Sequence, residues 1–430
     1  MTDPDILTKA EAGKAERYPT YNDSGVDWLS EIPAHWEVIK LKRVVNLVSE
    51  KVASKDSTFQ YIGMENIESW TGRYIESSSE VEGLANYFEK GDILFGKLRP
   101  YLAKVYLPLQ NGICSTEFLV LRCSNKANKG YLHKSLLSPL LISLINSSTY
   151  GSKMPRASWE FIGDQFLPIP PLSEQTRIAE FLGRKTAQID QAIAQKERLI
   201  ELLNERGQVM IHKAITRGLN PDVPMKDSGI DWIGEIPGHW EATKVKNIFR
   251  LIVEPAANNN NFELLSVYTD IGVKPRKELE ERGNKASTTD GYWLVKKGDI
   301  IVNKLLAWMG AIGISHYDGV TSPAYDILRA KRPISGEYYH TLFRSPICSS
   351  ELKRHSRGIM DMRLRLYFDK FGDILVPYPP IVEQLKITEK LNQIDSDINK
   401  AKGLLQSQIE KLQELKSTLI NSAVTGKIRV

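Results

Sequence analysis

Residues 91–97 read GDILFGK, the G-x-x-x-x-G-K spacing of a loop whose backbone cradles phosphate oxygens. The surrounding residues do not support that chemistry. Leu98 follows the lysine, where such a loop needs a Ser or Thr hydroxyl for magnesium, and Pro100 interrupts the helix whose N-terminus would hold the anion. A later stretch of the same pattern, residues 298–304 (GDIIVNK), has Asn303 in place of the second glycine. The simpler expectation is a strand followed by a turn. His35 with Glu37, and His239 with Glu241, form H-x-E pairs that could begin a metal site. The chain's 7 histidines are scattered, however, and its 3 cysteines (Cys114, Cys123, Cys348) form no C-x-x-C pair. The neighbours Trp28, Pro33 and Trp36, and again Trp232, Pro237 and Trp240, suggest an aromatic plug at the start of a domain. There is no Ser/His/Asp order, no H-E-x-x-H and no dinucleotide fingerprint. Pro170-Pro171 and Pro379-Pro380 follow Ile169 and Tyr378 rather than the Asn or Asp of an amino-methylation motif. No paired nuclease carboxylates with a lysine are visible. The polypeptide is therefore expected to be non-catalytic, with no cofactor and no metal.

Basic clusters offer a different chemistry. No acidic residue lies between Asp92 and Glu117, while Lys97, Arg99 and Lys104 occur there with Tyr101 and Tyr106. Residues 152–159 (SKMPRASW) carry Lys153 and Arg156. Residues 352–366 hold Lys353, Arg354, Arg357, Arg363 and Arg365 against Asp361 alone. Lys and Arg at glycine-bearing turns can reach phosphates or the N7 and O6 atoms of guanine. The formal net charge of +5 permits such binding without arguing for it, because clustering rather than net charge makes a nucleic-acid face. The competing expectation is a solvated surface.

An internal duplication organises these residues. Residues 23–37 (DSGVDWLSEIPAHWE) recur as residues 227–241 (DSGIDWIGEIPGHWE), with 11 of 15 positions identical. Residues 90–98 (KGDILFGKL) recur as 297–305 (KGDIIVNKL), and residues 151–156 (GSKMPR) align with 358–363 (GIMDMR). The Pro-Pro and Glu-Gln pairs at 170–175 recur at 379–384. A period of about 205 residues is a duplicated domain, not a solenoid. Short β-like runs at residues 92–96, 117–122, 299–303 and 325–329, with helical patches at 131–145 and 337–353, predict α+β domains.

After each Pro-Pro comes a run of about forty residues without proline. A 4,3 spacing from Leu182 gives 7 apolar positions of 10, and from Ile387 it gives 9 of 10, with Gln408 the exception. That repeat predicts two coiled-coil helices, each in need of a partner, and the other helix of the chain is the nearest. Glu174 suits a helix first turn, and Gly218 and Gly426 mark the ends. The expected fold class is thus α+β: two tandem globular domains separated by two long helices that form an intramolecular antiparallel coiled coil with pseudo-twofold repeat. The expected partition is an N-terminal extension at residues 1–19, domains at 20–170 and 219–378, and helices at 171–218 and 379–430. With 42% apolar and 25% charged residues, wholesale disorder is excluded. The longest apolar run, residues 136–145, is too short to span a bilayer, and a cytoplasmic location is expected.

Two copies of D-S-G-x-D-W-x-x-E-I-P-x-H-W-E, each with K-G-D-I and a P-P-x-x-E-Q step into a long helix, resemble the specificity subunit of type I restriction–modification systems over essentially the whole chain. The resemblance implies that each globular unit is a target recognition domain reading one half of a split, asymmetric site in double-stranded DNA. It also implies that the helices hold the domains apart and dock two DNA methyltransferase (modification) subunits, to which restriction/translocase subunits can join. The family supplies no invariant readout motif. Charge, turn position and repeat equivalence instead select Lys97, Arg99, Tyr101, Lys104, Lys153 and Arg156 in the first domain, and Lys304, Arg357, Met360, Arg363 and Arg365 in the second. The rival expectation is a coiled-coil scaffold that recruits proteins without touching DNA.

Overall fold

Apolar runs that alternate between two buried faces produce the same sheet twice. A computed structural model of the chain describes residues 16–54, 57–77, 83–258, 260–279, 289–359 and 363–430. The chain divides into two compact units, residues 1–197 with 405–430 and residues 198–404.

In the first unit, β1 (Val45–Val48), β5 (Ile93–Gly96), β6 (Val105–Tyr106) and β8 (Phe118–Cys123) form an antiparallel sheet in the order β1-β8-β5-β6. A second sheet has the order β2-β4-β7-β3, from β2 (Lys51–Ala53), β3 (Tyr61–Ile62), β4 (Leu84–Phe88) and β7 (Gly112–Cys114). Successive side chains of a strand point to opposite faces. Ile93, Phe95 and Leu121 accordingly enter a core shared with helices α1 (Lys129–Leu136) and α2 (Pro139–Ser147), while Leu94, Phe118 and Val120 enter a second core against the other sheet. The first sheet is therefore buried on both faces, which explains its unbroken apolar runs.

The second unit repeats this plan. The sheet order is β9-β16-β13-β14, from β9 (Phe249–Ile252), β13 (Ile300–Asn303), β14 (Ile312–Ile314) and β16 (Tyr325–Ala330). Two hairpin-like pairs, β10 (Leu265–Tyr268) with β11 (Gly272–Pro275) and β12 (Trp293–Val295) with β15 (Gly319–Thr321), cover one face. Helices α4 (Gly336–Arg344) and α5 (Pro346–His355) cover the other. The helical patches expected at 131–145 and 337–353 are each two helices. Pro139 and Pro346 start the second of each, because proline lacks an N–H and disfavours helical geometry in the residue before it.

The long helices are α3 (Leu172–Arg217) and α6 (Ile381–Val424). Their ends belong to the domain cores. Ile178, Leu182, Ile420, Ala423 and Val424 sit in the first unit's core, and Ala214, Ile215, Ile387, Leu391 and Ile394 in the second's. The Tyr131 hydroxyl lies 3.1 Å from the Val424 carbonyl, and the repeat-equivalent Tyr338 hydroxyl donates to the Ile215 carbonyl at 2.7 Å.

Within the first unit α3 and α6 run antiparallel. Asp190 accepts from Lys416 Nζ at 2.7 Å, and Lys196 Nζ donates to Gln408 at 2.6 Å. Within the second, Gly207 leaves the space into which Ile398 packs. Every seam position named from Leu182 is at least partly buried, as is every one from Ile387 except Gln408. There Ile409, 3% exposed, takes the inward place, because an α-helix drifts against a strict 3.5-residue repeat. Lys416 is itself nearly buried, its side chain 9% exposed. Asp190→Ala, which strands that ammonium, is expected to cost about 1–2 kcal/mol, and adding Lys416→Met should recover most of it. Chemical denaturation is the check; equal midpoints for wild type and Asp190→Ala would remove the pair's role.

Candidate nucleic-acid interface

The repeated motifs first turn out to be fasteners. Gly91 and Gly298 of the KGDI segments both have φ of +94°, a left-handed turn that favours glycine. The next residue clamps a neighbouring strand. Asp92 accepts from Arg122 Nε and Nη2 at 2.9 Å each, and Asp299 from Arg329 Nε and Nη2 at 2.8 Å each. Asp92 and Asp299 also accept the Glu89 and Lys296 backbone N–H groups and so close the turn. The H-x-E histidines bond elsewhere: His35 Nε2 donates to Glu174 at 2.9 Å, and His239 donates to Glu383. Trp36 and Tyr18 also donate to Glu174, and Trp240 to Glu383. Burial pushes the Glu174 carboxyl up, but these bonds outweigh it and hold the group below its ordinary range. Gln175 and Gln384 each donate to the first proline carbonyl of the Pro-Pro step. The Glu-Gln pair thus latches each domain to the start of its helix. No group of three or more His, Cys, Asp or Glu able to hold a metal occurs among the described residues.

With the frame fastened, the turn after β5 is carried outward. Lys97 N donates to Glu117 O at 3.0 Å, and Lys97 O accepts from Ala157 N at 3.0 Å. Arg99 adopts φ +51° and ψ +62°, a conformation costly for a residue with a Cβ, and its N–H donates to Pro155 O at 2.7 Å. Residues 150–156 form a loop closed by two backbone bonds between Tyr150 and Arg156, at 3.0 and 3.1 Å. Turn and loop are therefore one continuous surface that brings together Lys97, Arg99, Tyr101, Lys153 and Arg156. Tyr150 and Met154, which were not singled out by charge, lie on it 62% and 47% exposed.

The second unit builds its counterpart from Lys304, whose carbonyl accepts from Leu366 N at 2.8 Å, and from a loop closed by two 2.9 Å bonds between Arg357 and Arg365. Arg363 lies in that loop and is exposed. Met360 falls outside the described residues. The sequence alignment of Arg156 with Arg363 is corrected by these bonds. Tyr150 corresponds to Arg357 and Arg156 to Arg365, so the second loop is two residues longer. In the same unit, Arg344 ties the turn after β10 to the start of β14, donating to the carbonyls of Gly310 at 2.5 Å, Thr269 at 2.8 Å and Asp270 at 3.0 Å.

The selected cations fall into two sets. Arg156 is held by both oxygens of Glu117, at 2.9 to 3.2 Å. Lys104 donates to Met64 O at 2.6 Å, and its partial burial lowers its pKa. Lys304 donates to Pro323 O at 2.9 Å and lies 3.3 Å from Asp326. Arg357 pairs with the exposed Asp369 at 2.8 Å. Among the described residues, the side chains of Lys97, Arg99, Lys153, Arg363 and Arg365 have no hydrogen bond or ion pair.

Two repeat-related α+β units, each carrying a basic turn-and-loop face and sharing a pair of long helices, define a tandem recognition protein. Residues 33–202 match the sequence profile of the type I restriction modification DNA specificity domain. The chain is 24% identical over 427 residues to the type I restriction enzyme MjaVIII specificity subunit of Methanocaldococcus jannaschii, covering 93% of this chain and 94% of that protein. It is 26% identical over 325 residues to the EcoBI specificity subunit of Escherichia coli, covering 71% and 66%. In fold it is similar to a chain from a study of complex assembly in a type I R-M system (TM-score 0.67, 18% identity, 91% and 98% covered). It is also similar to the HsdS subunit from Thermoanaerobacter tengcongensis (TM-score 0.54, 18% identity, 92% and 98% covered). Residues 33–202 thus match the specificity-domain family, and the chain as a whole is similar to type I restriction–modification specificity subunits.

Proposed function

We propose that this chain is the non-catalytic, sequence-reading subunit of a type I restriction–modification complex, and that each unit binds one half of an asymmetric bipartite site in double-stranded DNA. One observation carries the reading. The two units present the same turn-and-loop face with unpaired cations on it, yet with different side chains at equivalent positions. Related scaffolds with unlike contact residues suit a site with two unlike halves. In this reading residues 20–170 and 219–378 are the recognition domains, and residues 171–218 and 379–430 the helical regions. Methyltransferase subunits, and through them restriction subunits, dock on the helices. Within the second unit Leu199, Leu202 and Val209 of α3 and Leu404 of α6 are 48%, 43%, 53% and 62% exposed, apolar surface that a docked protein would cover. No helix among the described residues is long and apolar enough to cross a membrane. We place the complex in the cytoplasm with the cell's DNA.

Coexpression with the two methyltransferase subunits, followed by mapping of modified bases, tests the reading. One split motif with two unlike halves is expected; modification without a motif would refute it. Arg99→Ala is expected to weaken binding by about 1–3 kcal/mol and to relax one position of the first half-site only. Titration of labelled duplexes varied one base pair at a time measures this.

A further inference from the structure

Two equivalent positions carry a cation in both units: Lys97 with Lys304 after the central strand, and Arg156 with Arg365 at the loop's closing pair. Their partners are exchanged. In the first unit Glu117 holds Arg156 with three contacts between 2.9 and 3.2 Å, and Lys97 is unpaired. In the second unit Asp326 and the Pro323 carbonyl hold Lys304, whose side chain is 17% exposed, and Arg365 is exposed and unpaired. The substitutions behind the exchange are visible in the repeat. The residue equivalent to Glu117 is Ala324, because Phe118 pairs with Gly96 as Tyr325 pairs with Asn303. The residue equivalent to Asp326 is Leu119, buried in the first core.

We propose that this exchange sets which cation each half-site meets: Lys97 in the first unit and Arg365 in the second, with Arg156 and Lys304 acting as positioning residues. Arg365 is then a DNA contact of the second half-site, to a base edge or to the backbone. The inference rests on the DNA-reading function proposed above and names its contacts. A guanidinium presents a planar fork of donors that fits a pair of acceptors, either the O6 and N7 edge of guanine or two phosphate oxygens, whereas an ammonium is a point charge. A carboxylate that already fills the fork leaves it nothing to offer a nucleic acid. Two halves with different free cations therefore read different acceptor patterns on one scaffold.

The test uses the complete complex of full-length chain and methyltransferase subunits, with a labelled duplex carrying the mapped site. Ala324 is exposed, so Ala324→Glu can install the missing carboxylate without burying it, and Ala324→Gln controls for size. Arg365→Ala and Ala324→Glu are each expected to weaken binding about tenfold or more, and Ala324→Gln less than about twofold. The double variant should bind no worse than Arg365→Ala, because the new carboxylate then has nothing to neutralise. A loss confined to one base pair of the second half-site identifies a base edge. A uniform loss, with a salt slope smaller by about one, identifies a phosphate; either supports the assignment. Reciprocally, Glu117→Gln should release Arg156 and steepen the salt slope by about one. Wild-type binding by Arg365→Ala, an Ala324→Glu loss that persists without Arg365, or an unchanged slope in Glu117→Gln would overturn it. A wild-type complex that binds no duplex preferentially would instead remove the functional reading itself.

Discussion

Lowering the pH from 6.5 to 4 is expected to remove about 3 kcal/mol of stability from each unit, through one histidine in each. His133 on α1 and His340 on α4 occupy equivalent places, 207 residues apart. Burial, with Lys134 alongside, pushes the His133 imidazole down to about 4. Burial, with Arg344 and His316 nearby, brings His340 to about 4 as well. Both are held as the Nε2–H tautomer, by different ring nitrogens. His133 Nε2 donates to the Val105 carbonyl at 3.2 Å, while His340 Nδ1 accepts from the Ile314 N–H at 3.3 Å, so a proton on His340 Nδ1 must displace a backbone bond. The unfolded chain, with imidazoles near 6.5, binds more protons than the folded chain between pH 6.5 and 4. Stability is therefore complete above 6.5 and falls as the pH drops through that window. Below about 4.5 the loss deepens, because Glu174, held below its ordinary range, must give up its bonds to Tyr18, His35 and Trp36 on protonation. Urea unfolding at several pH values, for wild type and His340→Gln, measures the effect. The variant should show a shallower dependence in one unit; parallel curves would show that His340 contributes nothing to it.

Asp299→Ala is expected to destabilise the second unit by about 3 kcal/mol or more. Asp299 is 2% exposed, and its carboxylate receives two bonds from Arg329 and one from the Lys296 backbone. Removing it leaves a guanidinium whose side chain is 18% exposed with Glu254 as its remaining carboxylate partner, and opens the turn that launches β13. Asp299→Asn keeps the shape and one acceptor and should cost roughly half as much. Because β13 leads straight into Lys304 and the basic face, the alanine variant should also lose DNA binding at temperatures where the unit remains mostly folded. Differential scanning calorimetry with parallel binding titrations follows both; an unshifted transition would mean that the KGDI aspartate is not a fastener.

Features that depend on neighbouring residues were legible in the sequence. The duplication, the two long helices and the central strand pair of each sheet were all visible as spacing or apolar runs. Pro139 and Pro346 were equally visible as helix breaks, and reading across them merged two helices into one in each unit. Features made by distant residues were hidden. Glu174 looked like an ordinary first-turn acid, yet its partners lie more than 130 residues away at His35 and Trp36. Charge clustering located the basic turn-and-loop faces but could not separate Arg156 from Lys97, because Glu117, which decides the matter, comes from another strand. One signal was available: Glu117 in one copy stands against Ala324 in the other, at a position flanking the central strand.

The way helix ends are built into the domain interiors bears on how such a protein can be recombined. A graft that exchanged residues 20–170 alone would sever Tyr131 from Val424 and strip Ile178, Leu182 and Ile420 from the hydrophobic interior they complete. The breakpoints that keep each interior whole fall within the helices, at the 197/198 and 404/405 boundaries. Chimaeras spliced there should fold as readily as their parents, and those spliced at the Pro-Pro steps should not.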